Sequence, residues 1–62
     1  MKKEKVVPGH SYWTKVGTNW QLVHVLRFSL ALNGQEVIVR TLAGNQIYRD
    51  VRQLHTTHKG SP

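Results

Sequence analysis

A chain of 62 residues with nine Lys and Arg against three Asp and Glu, a net charge of +6 and no cysteine reads as one small basic domain. At this size folding buries only about 60% of the surface the unfolded chain exposes, which leaves room for a single small core. The missing cysteines exclude a disulfide framework, a thiolate metal site and a cysteine nucleophile, while the charge favours polyanions, nucleic acid first and nucleotide phosphates or acidic protein surfaces after it.

Residues 1–8 begin Met-Lys-Lys-Glu-Lys with no apolar run behind them, so a signal peptide is not expected. They predict a flexible basic N-terminal arm that ends at a Pro8-Gly9 turn. No segment approaches the roughly 18 consecutive apolar residues of a membrane span, so no membrane partner is expected. The expectation is a soluble, cytoplasmic protein. Residues 9–57 make the folded domain, and the polar residues 58–62 predict a disordered tail.

Residues 11–16 (Ser-Tyr-Trp-Thr-Lys-Val) are rich in aromatic and β-branched types and predict a first strand. Gly17-Thr18-Asn19 turns the chain into a second, running from 20 to about 30. That strand is apolar on both alternating sets: Trp20, Leu22, Leu26 and Phe28 on one, Val23 and Val25 on the other. A sheet with one wet face does not need this. It suits a strongly bent strand that changes which face it buries, or one whose outer face meets another subunit. Trp20 and Phe28 are expected in the core.

Asn33-Gly34 follows, the pair that best tolerates φ > 0 at both central positions of a two-residue type I′ hairpin. Residues 35–42 predict the third strand, with Val37, Val39 and Thr41 on one side and Glu36, Ile38 and Arg40 on the other. Ala43-Gly44-Asn45 is a second tight turn, leading into a fourth strand at 46–49. Residues 50–54 then break the alternation with apolar side chains three apart, which fits one turn of 3₁₀-helix before a last short strand. This order resembles an all-β, five-stranded SH3-like barrel with a 3₁₀ turn before the last strand. Many unrelated functions use that barrel.

Two short segments carry a resemblance to a particular enzyme family. Lys15-Val16-Gly17-Thr18-Asn19-Trp20-Gln21 is similar to the Lys-x-Gly-x-x-Trp-Gln turn of plasmid-encoded type II, trimethoprim-insensitive dihydrofolate reductases. Gln46-Ile47-Tyr48 is similar to that family's Gln-Ile-Tyr active-site strand. The resemblance implies a homotetramer whose central pore binds NADPH and dihydrofolate and juxtaposes them for hydride transfer. Gln46 would then bond the pterin and nicotinamide edges, Ile47 would pack on the rings, Tyr48 would contact the cofactor and Lys15 would attract phosphates. Three positions depart from the family: Thr14 stands in place of its functional lysine, Asn45 in place of the valine before its Gln-Ile-Tyr, and Arg49 in place of its proline, and the intervening hairpin loops are shorter.

A looser resemblance is to basic SH3-like barrels that bind nucleic acid. Arg27, Arg40, Arg49 and Arg52 fall on neighbouring strands and the 3₁₀ turn, where they predict one basic stripe. Phosphate contacts would supply most of the affinity. Lys2, Lys3, Lys5 and Lys15 would add sequence-independent attraction, and exposed Tyr12, Trp13 or Tyr48 would stack on unpaired bases.

Other constellations are weaker. His55 and His58 lie three apart but lack a third ligand nearby, so no metal is expected. His24 reads as a packed or interface residue. Glu36 and Asp50 are the only acids in the barrel, in contexts that suggest no desolvation. The leading expectation is a nucleic-acid-binding module without cofactor. A tetrameric reductase-like protein that uses NADPH comes second, and a protein-binding adaptor or inhibitor third.

Overall fold

The computed structural model describes residues 1–30 and 32–57. One long strand organises it. β2 (Asn19–Phe28) pairs through its first half with β1 (Ser11–Val16) and through its second with β3 (Glu36–Arg40). β3 in turn pairs with β4 (Gln46–Asp50), giving one antiparallel sheet in the order β1-β2-β3-β4. The all-β expectation holds, but the fifth strand is absent as a strand. After a 3₁₀ turn at Val51–Gln53, Leu54 enters the core, and His55 alone reaches the free edge of β1. There the Trp13 amide donates to the His55 carbonyl at 2.7 Å, and the His55 amide donates back at 2.8 Å.

Alternation sets the two faces of the sheet. Tyr12, Thr14, Val23, Val25, Val37 and Val39 point inward and are buried. Val6, Val51 and Leu54 close the core from outside the sheet, and Met1, Phe28 and Ile47 pack against it. Each buried Val or Leu stabilises the fold by roughly 1.5–3 kcal/mol. The one fully buried polar side chain among the largest of these, Thr14, is satisfied: its hydroxyl donates to the Gln53 carbonyl at 2.9 Å and ties β1 to the 3₁₀ turn. Trp20 departs from the core expectation. It shares the outward set of β2 with Leu22 and His24, stays half-buried, and sets its ring edge-on to His55 at 5.3 Å.

β2 keeps one buried face but changes which alternating set supplies it. His24 lies opposite Arg40 and Val25 opposite Val39, but Arg27, not Leu26, lies opposite Ile38. Leu26 is a bulge residue, and the extra residue reverses the alternation beyond it. Arg27 therefore joins the outward row and Phe28 turns onto the core. Without the bulge, Arg27 would point into the valines.

Asn33 (φ 55°) and Gly34 (φ 80°) both take the left-handed backbone expected of them. The loop around them is nevertheless longer than two residues. A two-residue loop at 33–34 would set Leu30 opposite Val37; the observed partner is Phe28, and the loop spans 29–35. That register gives the core an aromatic ring and leaves Leu30 fully exposed. Packing outweighs the local turn preference here.

The basic lead, expected as an arm, lies against the body. Val6 is buried, the Val7 amide donates to the Tyr12 hydroxyl at 2.9 Å, and the Met1 ammonium donates to the Val51 and Leu54 carbonyls, each at 3.0 Å. A 3₁₀ turn at Lys3–Lys5 connects these contacts. The expected tail at 58–62 lies outside the described residues. Among the described residues no helix is long and apolar enough to cross a membrane.

Candidate functional site

The outer face of the sheet is built in cross-strand rows. Ser11, His24, Arg40 and Gln46 are register partners, one from each strand, and all four are exposed. Two residues along, Arg27, Ile38 and Tyr48 form the next row. Diagonal neighbours on such a face lie about 7–8 Å apart, within reach of long side chains. Arg27, Arg40 and Tyr48 are thus brought onto one patch, together with His24 and Gln46. Neither row contains a carboxylate.

Of the tyrosines, tryptophans and the phenylalanine, Tyr48 alone is exposed, at 60%. Tyr12, a candidate for stacking on bases, is buried; its hydroxyl accepts from the Val7 amide and donates to the Lys5 carbonyl. Trp13 is half-buried beside the His55 bridge, with Leu22 as its cross-strand partner. Lys15 is exposed on the outer face opposite Trp20, at the far end of the β1–β2 ladder from Tyr48.

The four expected arginines do not form one stripe. Arg49 lies opposite Val37 in the inward set, half-buried, with its Nε shielded from solvent and its Nη1 donating to the Tyr48 carbonyl at 2.8 Å. Period-two alternation anchored on Ile47 carries the signal for this orientation. Arg52 is engaged by Asp50: Nη2 donates to Oδ2 at 2.7 Å and Nε to Oδ1 at 3.1 Å. The same carboxylate caps the 3₁₀ turn by accepting from the Arg52 amide, while Gln53 Oε1 accepts from the Asp50 amide. The Arg52 guanidinium, and then its amide, hold the Asp50 carboxyl below its ordinary 3.8, at about 2. Its charge is neutralised by its neighbour. Lys3 sits by the 29–35 loop with Nζ 3.4 Å from the Asn33 carbonyl, and Lys2 and Lys5 are exposed beside it in sequence.

The reductase-like residues divide between faces. Gln46 and Tyr48 are outward and exposed, whereas Ile47 turns inward onto the core. Thr14, at the position matching that family's lysine, is a buried structural residue.

Two clefts flank the patch. The larger, about 420 Å³, is lined by Asn33, Gln35, Asp50 and Arg52, whose two charges satisfy one another. The smaller, about 280 Å³, is lined by Ser11, Leu22, Val23, His24, Arg40, Thr41 and Leu42. It forms because β3 ends at Arg40 and the 41–45 turn leaves the first half of β2 uncovered. Its floor is apolar and its rim cationic. Among the described residues no group of three or more His, Asp or Glu is placed to hold a metal, and His58 lies outside them.

Comparison with protein-family models, curated proteins and solved structures finds no match to this chain.

Proposed function

We propose that this chain is a small SH3-like barrel that binds single-stranded nucleic acid through the outer face of β2, β3 and β4. The observation that carries the reading is Tyr48, the exposed aromatic, set in the Arg27 row and diagonal to Arg40, with the acids Glu36 and Asp50 confined to the next row and Asp50 paired with Arg52. A tyrosine ring stacks on any base, and the neighbouring guanidiniums take phosphates of the same strand. His24 and Gln46 add hydrogen-bonding groups to the same surface. The rest of the +6 charge supplies long-range attraction.

Fluorescence anisotropy with labelled single-stranded DNA and RNA across a salt series tests this. Log K should fall linearly with log salt, with a slope of about −0.7 for each phosphate neutralised on a single strand. Tyr48→Ala should weaken binding by about 1–3 kcal/mol, the contribution of one stacked base. Binding without salt dependence, or no binding, refutes the reading.

A second reading has one point in its favour. Gln46 and Tyr48 are both exposed on β4, which pairs on one side only, as a pore-lining strand of a tetrameric reductase would require. The inward Ile47 weighs against it. Light scattering decides, since a monomer forms no pore for NADPH and dihydrofolate.

A further inference from the structure

The 280 Å³ cleft beside the patch has a use that Tyr48 and the arginines do not supply. We infer, building on the interface proposed above, that this cleft is a base pocket: it takes one unpaired nucleobase of a bound strand, so that the protein rejects duplex.

Size is the first argument. Pockets that enclose a whole small molecule begin at roughly 300 Å³. A cleft of about 280 Å³ suits one ring system of a larger ligand. Chemistry is the second. Leu22, Val23 and Leu42 make an apolar floor and wall, and Leu42 is 83% exposed where a folded domain gains nothing by showing it. A flat, weakly polar ring covers such a surface. The rim then selects what the ring is attached to: Arg40 donates to anions, His24 and Ser11 offer hydrogen bonds, and no carboxylate lines the opening. An apolar ring joined to a phosphate matches both parts, whereas an acidic peptide matches only the rim.

Position is the third argument. Ser11, His24 and Arg40 belong both to the cleft and to the row that crosses all four strands. Tyr48 lies two residues along β4 from Gln46 in that row, roughly 7 Å away at the usual strand rise. A strand that stacks one base on Tyr48 therefore runs past Arg40 and delivers a neighbouring base to the cleft. Bases locked in a duplex cannot turn out to enter it without the cost of unstacking.

The experiment compares a labelled oligothymidylate with a labelled duplex of equal length, by anisotropy at fixed salt, for wild type, Leu42→Ser and Ser11→Trp. Leu42→Ser removes the apolar wall and Ser11→Trp plugs the mouth; both positions are exposed, and thermal melts should match wild type. Each variant is expected to lose about fivefold or more in affinity for the single strand, the lower end of what one held base contributes. Duplex affinity should stay within about twofold, as phosphate contacts are untouched. In wild type, oligothymidylate should shift the amide resonances of Leu22, Val23 and Leu42. If single-strand binding is unchanged in both variants and the shifts stop at Arg27 and Tyr48, the base pocket is wrong while the interface stands. Equal wild-type affinity for duplex and single strand also overturns the pocket. No binding to either overturns both.

Discussion

β2 has two halves that share one strand and one outer face, and they meet solvent differently. Along the first half the outward residues are Trp20 and Leu22, half-covered and joined by Trp13 and the His55 bridge. Along the second they are His24 and Arg27, exposed and joined by Arg40, Gln46 and Tyr48. Two local devices separate them. The return of the chain at Leu54 and His55 covers the first half, and the bulge at Leu26 fills the second half with charge. A small sheet can keep an apolar outer quarter if its own chain end covers it, and can hold an arginine in a hydrophobic run if one extra residue re-aims it.

Exchanging Arg27 and Phe28 (Arg27→Phe with Phe28→Arg) should erase the difference most completely. It sets an arginine in the inward place opposite Val37 and a phenylalanine on the outer row, and an uncompensated buried charge costs several kcal/mol. A 62-residue domain cannot absorb that, so cooperative melting by circular dichroism should vanish. Deleting Leu26 should instead preserve a melt, since Arg27 stays opposite Ile38 and Phe28 opposite Val37 in a regular ladder; loss of the melt would show that the bulge serves something other than facing.

Leu54→Ala attacks the other half. Leu54 is fully buried and holds the segment that covers Trp13 and Trp20. The expected loss is about 2–5 kcal/mol, which at about 4–8 °C per kcal/mol lowers Tm by about 10 °C or more. Tryptophan fluorescence should shift to the red in the same variant while Arg27 and Arg40 remain in place.

Arg27→Ala and Arg40→Ala should leave Tm nearly unchanged, since both side chains are exposed. Each should flatten the salt slope of single-strand binding by about 0.7. Lys15→Ala, at the far end of the face, should change the slope less. An equal effect at Lys15 would mean that charge, and not the Tyr48 patch, determines binding.

The smallest effect concerns Asp50. Its carboxyl is depressed from 3.8 to about 2, chiefly by the Arg52 guanidinium, so the stabilisation it lends is complete above its unfolded value and fades as pH falls through about 2. A carboxyl NMR titration should place the midpoint near that value in the native protein and move it back toward 3.8 in Arg52→Ala. No rise would mean that Arg52 is not what restrains the acid.

Much of the fold was legible in particular residues. Ser11–Val16 is a strand because aromatic and β-branched types crowd it, and apolar side chains three apart placed the 3₁₀ turn at Val51–Gln53. The doubly apolar run of β2 pointed to a change of buried face or to a covered outer face; what it reflects is a bulge at Leu26 that shifts the alternation, with Trp20 and Leu22 half-covered on the outer side. Asn33 and Gly34 took the expected backbone, yet the loop lengthened because Phe28 packs better than Leu30 opposite Val37. The fifth strand shrank to His55 because Leu54 spends the return segment on the core. The site was half legible. Arg27, Arg40 and Tyr48 come together as expected, whereas Arg49 faces inward and Arg52 is held by Asp50. Neither outcome follows from charge alone. His24 and Gln46 entered the patch through register, which appears only once strands are aligned.

The row of Ser11, His24, Arg40 and Gln46 takes one residue from every strand. A ligand lying along it would clamp the entire sheet at once, so occupancy and folding become a single thermodynamic quantity. At about a hundredfold excess over Kd, mass action adds about 2.7 kcal/mol to the native state, a large share of what so short a chain can hold in reserve. Melting temperature would then report the concentration of its target.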